Sequence, residues 1–88
     1  MEIKQLEVYS EASNYGIVRM PERRFPGCVI QGDSLAILCT LARSIRDRLT
    51  GNPDEELTGD ASELLKLLED RQRHYESVLA QHNIELPY

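Results

Sequence analysis

Apolar and polar residues alternate at Leu6-Glu7-Val8-Tyr9, apolar residues run together at Cys28-Val29-Ile30, and from Leu35 onward they recur every three or four positions. Alternation is the period of a half-buried strand, and the three-to-four spacing is that of an amphipathic helix. The pattern predicts strands at about 3–10, 15–20 and 28–31, followed by helices at about 34–50 and 61–82. Ser13-Asn14 supplies turn chemistry between the first two strands, which makes them a hairpin. Pro21 lacks the N–H that a continuing ladder needs, so the second strand stops there. Pro26-Gly27 fits a type II turn, Pro presetting φ and Gly tolerating a positive φ. The run after it is apolar on both faces, as in a central or well-covered strand.

Leu35, Leu38, Ala42, Ile45 and Leu49, flanked by Leu41, place one apolar stripe on the first helix. Asp33 or Ser34 can cap its start, and Gly51 suits the left-handed position after its end. Arg43, Arg46 and Arg48 fall in the last two turns, where the helix dipole favours cations. Asp60-Ala61-Ser62-Glu63 resembles a capping box opening the second helix. Leu64, Leu65, Leu68, Tyr75, Val78 and Leu79 form its stripe. Strands followed by helices indicate an α+β fold in β-β-β-α-α order. The expectation is a single domain, 1–88: a small, mainly antiparallel three-stranded sheet covered on one face by an antiparallel helical hairpin. The rival is a homodimer in which two hairpins form a four-helix bundle.

Composition narrows the function classes. The chain has 88 residues, 41% of them hydrophobic, with no Trp and one Phe, so its core is aliphatic and thin. A formal charge of −5 with no basic stripe repels phosphate backbones, which argues against a nucleic-acid partner. No apolar run approaches the roughly 20 residues that span a bilayer. Met1-Glu2-Ile3-Lys4-Gln5 has neither a basic start nor an apolar segment, so no secretory signal is expected. Cys28 and Cys39 lack metal or redox spacing, and each sits in an apolar run, as buried thiols do in a reducing cytosol.

Candidate chemistry concentrates between residues 23 and 34. Arg23 and Arg24 precede the turn, and Gly32-Asp33-Ser34 opens a helix whose free N–H groups attract anions. Asp33 is itself an anion at that place, and no Gly-x-x-x-x-Gly-Lys-Ser/Thr loop exists. Ser34 as a nucleophile needs a base, but His74 and His82 belong to the other helix. Those histidines stand eight residues apart, about 12 Å along a helix, too far to share a metal. Asp54-Glu55-Glu56 lacks the alternating oxygen ligands of a calcium loop and reads as a solvated acidic loop. Tyr9 and Tyr15 are placed to face each other across the hairpin. No catalytic residue, cofactor or metal site is expected.

The run Arg24-Phe25-Pro26-Gly27-Cys28-Val29-Ile30-Gln31-Gly32-Asp33-Ser34-Leu35, with Val18-Arg19-Met20-Pro21 before it, resembles the signature of a family of short, uncharacterised bacterial proteins. The resemblance implies a bacterial, cytoplasmic protein and brings no activity, cofactor or catalytic residue with it. Small acidic α+β proteins include toxin-neutralising immunity proteins, an analogy at the level of fold. The leading expectation is a non-enzymatic protein-binding module, regulatory or immunity-like. Its expected contacts are Arg23, Arg24, Phe25 and Gln31, with Asp54, Glu55 and Glu56 offering an acidic surface to a basic partner. One alternative is a small-anion sensor or enzyme accessory subunit using Arg23, Arg24, Asp33 and Ser34. The other is a structural homo-oligomer joined through the helical hairpin.

Overall fold

A computed structural model describes residues 1–88. Three antiparallel strands precede two helices that pack against each other, an α+β fold. The strands are β1 (Glu7–Ser10), β2 (Ile17–Arg19) and β3 (Gly27–Cys28), and the helices are α1 (Gly32–Arg48) and α2 (Glu55–Gln81). Contacts group the chain into two compact units, 1–31 and 32–88, which are described in turn.

In residues 1–31 the strand order is β1-β2-β3, with β2 central. Glu7 pairs with Arg19 and Val8 with Val18, but Ser10 pairs with Ile17, so Tyr9 is an extra residue in a bulge. The expected Ser13-Asn14 turn forms, with Ser13 at φ 50° and the Tyr15 N–H donating to the Ala12 carbonyl at 2.8 Å. The type II turn expected at Pro26-Gly27 lies instead at Met20-Pro21-Glu22-Arg23. There Glu22 takes φ 67°, and the Arg23 N–H reaches the Met20 carbonyl at 3.2 Å. Pro21 presets the first corner as well as Pro26 could, and it also ends β2.

β3 differs from its expectation too. It has two paired residues rather than four and lies at the sheet edge, with Cys28, Val29 and Ile30 exposed. Its Gly27 and Cys28 pair with Val18 and Ile17, and the Val29 N–H still donates to the Gly16 carbonyl at 2.8 Å. An edge strand pairs on one side only, so a run of apolar residues there does not guarantee burial. No residue of 1–31 is buried.

Residues 32–88 hold the core. Its buried apolar residues are Leu35, Cys39 and Ala42 on α1 and Leu65 on α2. Arg43 of α1 reaches Glu69 of α2 at 2.8 Å across the helix pair. The stripe read from sequence is thus shifted around α1: Leu38, Leu41 and Ile45 are exposed, while Cys39 takes the place facing α2. A small residue lets two helices approach where a leucine would hold them apart.

Both helix starts also move. α1 begins at Gly32, so Asp33 and Ser34 lie inside its first turn rather than before it. α2 begins six residues earlier than expected, capped by Asp54, whose carboxylate accepts from the Leu57 N–H at 3.0 Å. The Asn52 side chain accepts from the Asp54 N–H at 2.9 Å, which sets the approach to the cap. Asp60 therefore sits within the helix. Gly59 reads as a breaker, yet its cost of about 1 kcal/mol against Ala is small beside a complete cap and a packed helix face.

The ends of the helices follow capping rules. Gly51 has φ 82°, the left-handed position expected for it. After α2, Asn83 adopts φ 56°, the Ile84 N–H reaches the Leu79 carbonyl at 2.9 Å, and the Asn83 N–H reaches Ala80 at 3.3 Å. That pairing is a Schellman motif with Asn in the left-handed place. The last residues return along α2, where the Tyr88 hydroxyl donates to Glu76 at 2.9 Å.

Candidate functional site

The turn joining β2 to β3 gathers Arg23, Arg24 and Phe25 in the open. Pro21 and Pro26 bracket it and fix the backbone on either side. Phe25, the only Phe in the chain, is 72% exposed, and the Arg24 guanidinium lies over its ring at 5.3 Å. Together with Met20, Arg23 and Gly27 they line a shallow, open depression. Guanidinium stacked on an aromatic face gives a flat surface with both apolar area and hydrogen-bond donors. Gln31 is exposed after β3.

A second exposed group lies on β1 and β2. Glu7 and Arg19 are cross-strand partners and form an ion pair, and the Tyr9 hydroxyl donates to the same carboxylate. Arg19 also sits 5.9 Å from the Tyr9 ring centre. The Tyr9 hydroxyl, and next the Arg19 guanidinium, hold the Glu7 carboxyl below the ordinary carboxylate range. Glu7 in turn pushes the Tyr9 phenol up. Tyr9 is committed to this group and Tyr15 is in no strand, so the expected tyrosine pair across the hairpin does not form.

The remaining candidates have local duties. The Asp33 carboxylate accepts from the Ser34 N–H at 2.8 Å, placing negative charge on the helix start that an anion would otherwise use. Asp54 caps α2, with Glu55 and Glu56 in the first turn, so the predicted acidic loop is a helix N-terminus. Cys39 is buried to 1% exposure, and that burial pushes its thiol up, whereas Cys28 is free and exposed. No three His, Cys, Asp or Glu side chains are grouped so as to hold a metal ion. No helix is long and apolar enough to cross a membrane.

Two features escaped the sequence reading. Arg43 and Glu69 come together only because α1 and α2 pair, and their separation of 26 residues gives no local signal. The stacking of Arg24 on Phe25 was equally invisible, although both are expected contacts, because it depends on how the turn folds.

A family model matches residues 1–88, from one end of the sequence to the other. The chain belongs to DUF6959, a family of unknown function. No curated protein and no solved structure matches it. The DUF6959 match supplies no substrate, ligand or partner.

Proposed function

We propose that this DUF6959 chain is a non-enzymatic protein-binding module, regulatory or immunity-like, working in a bacterial cytosol. The observation that carries the reading is the uncovered Arg24–Phe25 stack on the β2–β3 turn. Arg and aromatic side chains are the residue types that most often anchor protein interfaces, because they bring large contact area with directed hydrogen bonds. Here the pair stands outside any core, with Arg23 and Met20 beside it. The chain's net charge of −5, including Glu55 and Glu56 at the start of α2, favours a partner with a basic surface and speeds the encounter at low salt.

The test is affinity capture of the tagged chain from its native host at low salt, repeated with Phe25→Ala and with Arg24→Ala. A stoichiometric partner recovered by the natural chain and lost with Phe25→Ala supports the reading. Equal recovery with both variants, at unchanged thermal stability, removes the turn from it.

A further inference from the structure

Five of the seven exposed leucine and isoleucine residues on the two helices are arranged in rows, while Ile37 and Leu67 stand apart from them. Leu38 (40% exposed), Leu41 (57%) and Ile45 (51%) lie along one flank of the buried stripe of α1. Leu57 and Leu64 lie along a flank of the α2 stripe, about as exposed. At 3.6 residues per turn, each row falls on the same-hand side of its own stripe, viewed from that helix's N-terminus. Gly32 against Tyr75, and Arg43 with Glu69, show that the helices run antiparallel face to face. Antiparallel helices turn their same-hand flanks in one direction, so the two rows make a single apolar surface.

We infer that a second copy of this chain packs on this surface, giving a four-helix bundle whose two-fold axis runs parallel to the helices. Charge complementarity argues for this occupant and selects the arrangement. α1 carries three arginines against two aspartates, whereas α2 carries seven acidic residues against three basic ones. Stacking α2 on α2 sets like charges together, and stacking α1 on α2 sets opposite ones together. An axis parallel to the helices produces the second arrangement twice over, with every neighbouring pair of helices antiparallel.

The arrangement also has a register. Arg48 ends α1 and Asp60 lies early in α2, so both are at the loop end of the hairpin, on the rim of the apolar flank. Neither has an ion-pair partner within the chain. The axis preserves height along the bundle, which brings Arg48 of one copy to Asp60 of the other while Leu41 and Ile45 meet Leu64.

Sedimentation velocity on the full chain, from low to high micromolar concentration, reads this directly. The natural chain is expected to dimerise, and Leu41→Glu to remain monomeric with unchanged helical circular dichroism. Because Leu41→Glu could unfold the hairpin, the rim supplies a second readout. Arg48→Glu and Asp60→Arg should each raise the dimer Kd about 3- to 10-fold, and the double variant should restore it. A natural chain that stays monomeric overturns the proposal, as does one that instead captures a different protein through this flank. A dimer in which the double variant is no better than the singles overturns the α1-on-α2 arrangement.

Discussion

The ring of Tyr75 lies against the α-carbon of Gly32, so close that a β-carbon there would overlap the phenol. Glycine at the head of α1 is therefore a packing requirement, since Gly32 lies in helix and only Gly51 among the glycines has a positive φ. Tyr75 gains a flat backbone to rest on, and the two helices are fixed in register at that end. Gly32→Ala is expected to destabilise the chain by about 1–3 kcal/mol, despite alanine's better helix propensity. In a Tyr75→Ala background the same change should be neutral or favourable. Thermal melts of the two singles and the double would show the non-additivity, and additive effects would break the link between these residues.

Glu22 holds a left-handed conformation that suits glycine, costing an L-residue roughly 1–2 kcal/mol. Glu22→Gly should raise stability by about 0.5–1 kcal/mol once glycine's larger unfolded-state entropy is offset. Urea titration would detect it as a higher midpoint at unchanged slope. A lower midpoint would mean that the Pro21-Glu22 turn differs from the one described.

Two aspartates near the start of α2 have opposite expectations. Asp54 caps the helix and Asp60 lies inside it. Asp54→Ala should cost about 1 kcal/mol. Asp60→Ala should change stability by less than about 0.5 kcal/mol, the ordinary range for an exposed site. Equal losses at both positions would contradict the assigned helix start.

The Glu7 group predicts a pH effect of definite sign. Because Tyr9 and Arg19 favour the ionised carboxylate, Glu7 titrates lower in the folded chain than in the unfolded one. Its contribution to stability is complete above the ordinary glutamate value of about 4.3 and is lost as pH falls through the lower folded value. An NMR titration of the Glu7 side chain should show the depression, and Tyr9→Phe should move it back upward. No movement would remove the Tyr9 hydroxyl as the leading cause.

The thiols should differ sharply. A thiolate reagent in native buffer is expected to modify Cys28 and leave Cys39 untouched until the chain unfolds, since burial shields Cys39 and raises its pKa. Rapid labelling of both cysteines would indicate that the helical core opens readily.

By itself the sequence determined the element order and several of the stops. Alternation at Leu6-Glu7-Val8-Tyr9, the three-to-four spacing after Leu35, the Ser13-Asn14 turn and Gly51 all act within a few residues, where local sterics and hydrogen bonds settle the outcome. Tertiary structure decided which face of each element is covered. Leu38 and Ile45 fit a helical stripe as well as Cys39 does, but only the approach of α2 selects Cys39 for burial beside Leu35 and Ala42 and leaves Leu38 and Ile45 outside. The same approach makes Gly32 a seat for Tyr75 and pairs Arg43 with Glu69 across 26 residues. The open Arg24–Phe25 stack likewise depends on what surrounds the turn. Periodicity reports how a chain segment coils or extends; burial depends on a neighbour distant in sequence, and one segment's pattern does not contain that neighbour.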